Sequence, residues 1–118
     1  KRKFYLNNYG KHYRDFTYVH DVVENIWILI NKKIKKKHLI LNVCSNNPIS
    51  LKFILNKLDK AFGKPRIIKR PKQIADVYKT HGSNYKITQI TKFKKYTNIN
   101  EGLDKFISWV KSNKKYIN

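Results

Sequence analysis

Apolar positions along the chain follow two periods. Val22, Val23, Ile26, Leu29 and Ile30 recur at helical spacing and predict an amphipathic helix, with Asp21 as its cap and the basic tract 31–37 as its end. Leu51, Ile54, Leu55, Leu58 and Phe62 repeat that pattern behind Ser50, a good N-cap, and Gly63 and Pro65 stop it. Leu103, Phe106, Ile107 and Val110 mark the buried face of a last helix, with Trp109 on its flank and Asn98 and Glu101 spaced as a capping box. Between Tyr85 and Phe93, Ile87 and Ile90 give a weaker helical signal, because threonines at 88 and 91 lower the propensity. Extended segments are predicted at 4–8, at 15–19 with its aromatic and β-branched residues, in the continuous apolar run 39–43, at 66–69 and at 76–80. Asn8-Tyr9-Gly10, Ser45-Asn46-Asn47-Pro48 and His81-Gly82-Ser83-Asn84 are the turns between them.

Alternating strands and helices predict an α/β fold with layered packing. No repeat and no long linker divides the 118 residues, so they read as a single unit. Helix faces this apolar need a sheet or a neighbour to cover them, and so few extended segments leave sheet edges to protect. A missing partner region or association of copies is the expected cover.

Charge changes this picture less than its size suggests. Net charge is +20, from 27 basic and 7 acidic residues. Such a field attracts anions of any kind. Four of the basic residues are arginines, namely Arg2, Arg14, Arg66 and Arg70, and the rest are lysines scattered among Asn and Ile. Reading of phosphate and base edges leans on arginine forks. The lysines therefore read as solvated faces, and a dedicated nucleic-acid role is the less favoured alternative. No stretch approaches the ~18 apolar residues of a membrane span, and no secretory leader is visible. A cytoplasmic location without membrane contact is the expectation. Cys44 is the lone cysteine and lies in an apolar run, so it reads as a packed thiol. With no methionine anywhere, the chain does not open as an ordinary translation start; processing and excision from something longer both account for that.

Chemistry concentrates at Gly10-Lys11-His12-Tyr13-Arg14-Asp15. Arg14 can present two parallel N–H groups to a phosphate or diphosphate, or it can pair with a carboxylate as a structural ion partner. Asp15 can support hydroxyl or backbone geometry nearby. Arg70 stands before Pro71, which biases it toward an extended backbone suited to a rigid loop facing an anion. His12 and His20 lie near these groups, but the four histidines have no metal-ligand spacing. No serine sits on a glycine elbow, and neither a Gly-x-Gly-x-x-Gly fingerprint nor a Walker motif is present. Taken alone, these residues offer anion recognition and no bond-making chemistry.

In order along the chain, Gly10 to Val19 with Asp21 to Ile26, then Leu41-Asn42-Val43-Cys44-Ser45-Asn46-Asn47-Pro48-Ile49-Ser50-Leu51, Arg70-Pro71, and Thr97-Asn98-Ile99-Asn100-Glu101-Gly102-Leu103 resemble the C-terminal portion of extended short-chain dehydrogenase/reductase enzymes. The nearest subgroup is the NAD-dependent nucleotide-sugar epimerases, UDP-glucuronate 4-epimerase-like proteins of polysaccharide synthesis. The resemblance implies the C-terminal part of an extended Rossmann-type enzyme, a substrate-binding subdomain with the last Rossmann elements, over residues 1–118 and without the N-terminal NAD-binding region. It implies that Arg14 grips the diphosphate of a UDP-sugar and that Arg70 contacts diphosphate and ribose. In the family a Gly-Asp pair follows the Arg-Pro, its aspartate holding the ribose hydroxyls. Lys72-Gln73 is matched to that pair, with Gln73 as a hydrogen-bonding substitute. Spacing after Tyr78 reads as enlarged at His81-Gly82-Ser83, and Lys92-Phe93 replaces a family Gly-Phe. The family's glycine-rich NAD loop and Tyr-x-x-x-Lys pair have no counterpart here. NAD is therefore a cofactor of the parent family that this chain alone is not expected to bind. The expected function is that of a fragment or truncated homologue that contributes UDP-sugar binding and is inactive alone. An anion or nucleotide-sugar binding module is the alternative, and an N-terminal half or a second copy is the expected partner.

Overall fold

The computed structural model describes residues 3–35 and 37–116. Lys36 in the predicted basic tract, and the last two residues of the polar tail, lie outside the described residues. The chain opens with β1 (Lys3–Leu6) and a tight turn over Asn7–Gly10. Asn8, Tyr9 and Gly10 all hold positive φ there, at 47°, 53° and 77°. At Gly10 this matters doubly, because an added Cβ would also come within 3.0 Å of the Leu6 side chain. There follow β2 (Tyr13–Arg14), α1 (Val19–Ile30), β3 (Ile49–Ser50), α2 (Leu51–Phe62), β4 (Arg66–Lys69), α3 (Tyr85–Thr91) and α4 (Ile99–Ser112). β1 and β4 form a parallel pair, Lys3 opposite Arg66, and β2 and β3 a short antiparallel one. The result is an α/β arrangement with two two-stranded sheets among the helices.

Local chemistry accounts for the helix ends. Ser50 Oγ accepts from the Phe53 N–H at 3.3 Å, and Gly63 closes α2 at φ 80°. Asn98 caps α4 by accepting from the Asn100 N–H at 2.9 Å. The expected capping box with Glu101 does not form, because Glu101 turns outward to Lys105 at 2.8 Å. Asp21 does not cap α1 either. The helix begins two residues earlier, and the Asp21 carboxylate is buried, accepting from the N–H and hydroxyl of Thr97, both at 2.7 Å.

Three of the expected strands change. Residues 15–18 lie in no strand and Val19 opens α1; the paired residues are Tyr13–Arg14, and the Asp15 carboxylate beside them takes the Ser45 hydroxyl. Segment 76–80 contributes a single bridge, Lys79 to Tyr13. Segment 39–43 forms no strand. Its alternate residues Leu39, Leu41 and Val43 are half-buried while Ile40 and Asn42 face solvent. That is the alternation of a strand without a ladder to join.

The core is thin. Among the described residues, the buried apolar side chains are Leu6, Cys44, Ile54, Ile87 and Ile107. Phe106, expected inside, is exposed. The radius of gyration is 17.3 Å, against roughly 13.5 Å for a compact domain of this length.

Candidate functional site

The turn after β1 and the strand β2 form a rail along which the loop 70–80 is laid. The Tyr9 N–H donates to the Arg70 carbonyl at 3.2 Å, the Tyr13 N–H to the Tyr78 carbonyl at 3.0 Å, and the Thr80 N–H to the Tyr13 carbonyl at 3.2 Å. Arg70 Nα is tied back to the Leu6 carbonyl at 2.8 Å. Both sequence-predicted arginines therefore hang from one stretch of backbone, Arg70 beside Tyr9 and Arg14 five residues further on.

Arg14 is part-buried at the centre of this arrangement. One guanidinium nitrogen donates to the carbonyls of Tyr13 and Tyr78, at 2.8 and 3.4 Å, and the other to Asp76 Oδ1 at 2.8 Å. Asp76 is shared: its Oδ2 lies 3.4 Å from Nε2 of His12, within ion-pair reach but without an aligned hydrogen bond. His12 is 2% exposed, so its ring is a fixed wall behind the carboxylate. The reading of the sequence missed this pairing and took Asp76 for a strand residue. A usable signal was present, since Ala75-Asp76 is a small residue followed by an aspartate three positions beyond Lys72-Gln73.

Arg70 is exposed, with its guanidinium carbon 3.6 Å from the centroid of the Tyr5 ring. Gln73 is exposed, and its backbone carbonyl accepts from the Asp76 N–H at 3.1 Å, which shapes the loop that delivers Asp76. The two arginine side chains take separate partners: Arg14 meets Asp76 and Arg70 meets Tyr5.

Asp15 is a brace. Its carboxylate accepts from Ser45 Oγ at 2.5 Å and from the N–H groups of Gly82 and Asn47 at 3.0 and 3.3 Å. Burial works against its charge. The Ser45 hydroxyl and the backbone N–H groups of Gly82, Asn47 and Asn46 outweigh that and hold its carboxyl below the usual value. Cys44 responds oppositely: burial first, and then the Asp15 charge, push its thiol up. Gly82 is where these parts meet. A Cβ there would stand 2.6 Å from Cys44 Sγ, so the close approach that lets its N–H reach Asp15 needs glycine.

A cleft of about 460 Å³ opens beside this assembly. Tyr9, Tyr13 and Tyr78 line it with Lys11, Lys52 and Lys69, and Asp59 is its one carboxylate. The Tyr13 and Tyr78 rings lie 5.9 Å apart. Arg14 is held by the carbonyls of those two residues. Aromatic faces beside ammonium groups suit a planar ring carrying a charged tail. Among the described residues, no three His, Cys, Asp or Glu side chains gather to hold a metal ion, and no helix is long and apolar enough to cross a membrane.

No protein-family model matches the chain. An uncharacterized protein of Methanocaldococcus jannaschii is 32% identical over 111 residues, which cover 93% of this chain and 33% of that protein. A probable UDP-glucuronate 4-epimerase of Rhizobium meliloti is 27% identical over 122 residues, covering 88% of this chain and 36% of its own length. Among solved structures, MoeE5 in complex with UDP-glucuronic acid and NAD superposes with a TM-score of 0.83 at 22% identity, over 93% of this chain and 37% of that one. The chain thus spans about a third of the length of the curated relatives it matches.

Proposed function

We propose that the chain is a homologue of the C-terminal portion of NAD-dependent nucleotide-sugar epimerases, of the extended short-chain dehydrogenase/reductase type, and that its 118 residues form one substrate-side unit that binds the nucleoside diphosphate of a UDP-sugar. The observation that carries this reading is the Arg14–Asp76 contact of 2.8 Å, made by a loop that three backbone hydrogen bonds dock onto the Tyr9–Arg14 stretch. The guanidinium nitrogen that holds the Asp76 carboxylate can donate instead to an oxygen of a diphosphate, whose greater charge competes well for it. Once released, Asp76 is an acceptor for ribose hydroxyls, and His12 remains behind it. Gln73, which sets the loop, and Arg70, on its first turn, complete the contacts to the nucleotide, while Tyr13 and Tyr78 offer faces to the uracil.

NAD would supply hydride acceptance and return. The residues here do not fit that cofactor, since they include no glycine-rich phosphate turn and no Tyr-x-x-x-Lys pair to act as base. We therefore assign these residues binding and orientation of the sugar nucleotide, in a cytoplasmic setting, and no epimerisation by this chain alone.

Calorimetry with UDP-glucuronate tests the reading. Binding should exceed that of inorganic phosphate or pyrophosphate by at least about tenfold, and Arg14→Ala should weaken it by a further tenfold or more, the worth of one lost charge-assisted hydrogen bond. Equal affinity for all three anions would reduce the site to a basic surface that attracts any anion.

A further inference from the structure

His12 is held in an unusual position. It is 2% exposed, and its Nε2 is buried without a hydrogen-bond partner among the described residues. A polar atom taken from water and left unbonded carries a cost that folded proteins seldom leave unanswered. The backbone fixes where the ring stands. The His12 carbonyl accepts from the Leu51 N–H at 2.9 Å, at the start of α2, and the Tyr13 N–H that follows is tied to the Tyr78 carbonyl at 3.0 Å. The Tyr78 ring packs edge-on, with centroids 6.5 Å apart at 65°.

Asp76 stands between His12 and Arg14. Its Oδ1 takes the Arg14 guanidinium at 2.8 Å, while its Oδ2 lies 3.4 Å from His12 Nε2 with no aligned bond. The titratable groups around the ring are Asp76 and Tyr78 from the loop 70–80 and Arg14 from β2. Lys11, next in sequence, and Lys52, in the first turn of α2, line the adjoining cleft. With the site empty, Arg14 and Asp76 cancel, and a neutral His12 completes an uncharged group of three. A diphosphate brings two negative charges and draws Arg14 to itself. Asp76 then loses its counter-cation and faces His12 with a second anion nearby. A proton on Nε2 answers both needs, giving the buried nitrogen a charge-assisted bond and giving Asp76 a cation in place of Arg14. Histidine is the side chain whose proton comes and goes near neutrality.

We propose that His12 is a positioning residue of the diphosphate site: it gains a proton as the diphosphate takes Arg14 from Asp76, and then holds Asp76 Oδ2 while Oδ1 turns to the ribose. This rests on the UDP-sugar reading above and adds a proton to it. Because binding takes up a proton, affinity falls as pH rises, by up to about tenfold per unit wherever the free ring is neutral and the bound ring charged.

Calorimetry of the intact chain with UDP-glucuronate, in buffers of different ionisation enthalpy between about pH 6 and 8, counts the protons. The ligand contributes none there, since its diphosphate is esterified at both ends and its carboxyl titrates at roughly pH 3–4. Uptake should reach about half a proton or more within that range. His12→Gln keeps a donor that does not titrate, so uptake should vanish and affinity should stay flat with pH. Asp76→Asn removes the charge that calls for the proton and should also abolish uptake; it decides the matter if His12→Gln does not fold. His38→Asn, at an exposed position, should leave uptake unchanged. Binding without proton uptake, or uptake that persists in either His12→Gln or Asp76→Asn, would overturn the proposal and leave the nucleotide site standing. UDP-glucuronate binding no better than pyrophosphate at every pH would remove the nucleotide reading, and this proposal with it.

Discussion

A single carboxylate decides how three separate loops meet. Asp15 collects donors from Ser45, Asn47 and Gly82, residues that stand 30 to 67 positions away along the chain. Because its native pKa lies below the ordinary 3.8, it adds stability that is complete above that value and disappears as pH falls through the lower native one. Asp15→Asn keeps an acceptor but loses the charge, so at pH 7 it should cost about 2 kcal/mol. Urea unfolding of both proteins at pH 7 and pH 3 checks this: the gap should be wide at the first and narrowed at the second. A gap that stays constant across that range would mean the carboxylate's charge contributes nothing. The sequence marked Asp15 beside Arg14 but gave no sign of its partners, because they are mostly backbone N–H groups, which every residue carries. Arg14 was legible as an anion fork; the Ala75-Asp76 pair marked a candidate aspartate, but its pairing with Arg14, 62 positions away, depends on the rail of backbone bonds.

At the level of elements, periodicity located all four helices, and it did so because amphipathic spacing is a property of the helix itself. Which face turns inward is a property of the neighbours, and there the pattern misled. For α1, Val23, Ile26 and Ile30 of the predicted stripe stay outside, Val22 and Leu29 are half-buried, and the Asp21–Asn25 pair goes inside, bonded to Thr97 and Thr91. The same logic explains 39–43, whose alternation was legible and whose missing ladder was not. Mutational costs along α1 should therefore run opposite to those of an ordinary surface helix. Asp21→Ala leaves the part-buried N–H and hydroxyl of Thr97 without an acceptor and should cost about 3 kcal/mol. Val23→Ala removes an exposed side chain and should stay within about 0.5 kcal/mol. Urea denaturation of the free chain ranks the two directly, and a larger loss for Val23→Ala would show that the stripe is already covered in the isolated molecule.

For the whole molecule, a thin core faces a large unbalanced charge. Even if each of the 7 acidic residues pairs with a base, 20 positive charges remain, spread over a body 52 × 38 × 21 Å. Most therefore sit within a few Debye lengths of one another at low salt, where the screening length is about 30 Å at 0.01 M. Self-repulsion favours the expanded, unfolded chain. Surface ion pairs that salt would weaken, such as Arg14–Asp76 and Lys57–Asp104, which link distant parts of the chain, are each worth little. Screening should thus remove more repulsion than attraction. The melting temperature of the free chain should rise as NaCl goes from 0.01 to 0.3 M, by several degrees for a gain of about 1 kcal/mol in a molecule of this size, and scanning calorimetry would measure it. A fall over the same range would mean that the Arg14–Asp76 junction and its neighbours outweigh the repulsion of the rest of the surface, and that the loop 70–80 is held mainly by charge rather than by its backbone bonds to Tyr9 and Tyr13.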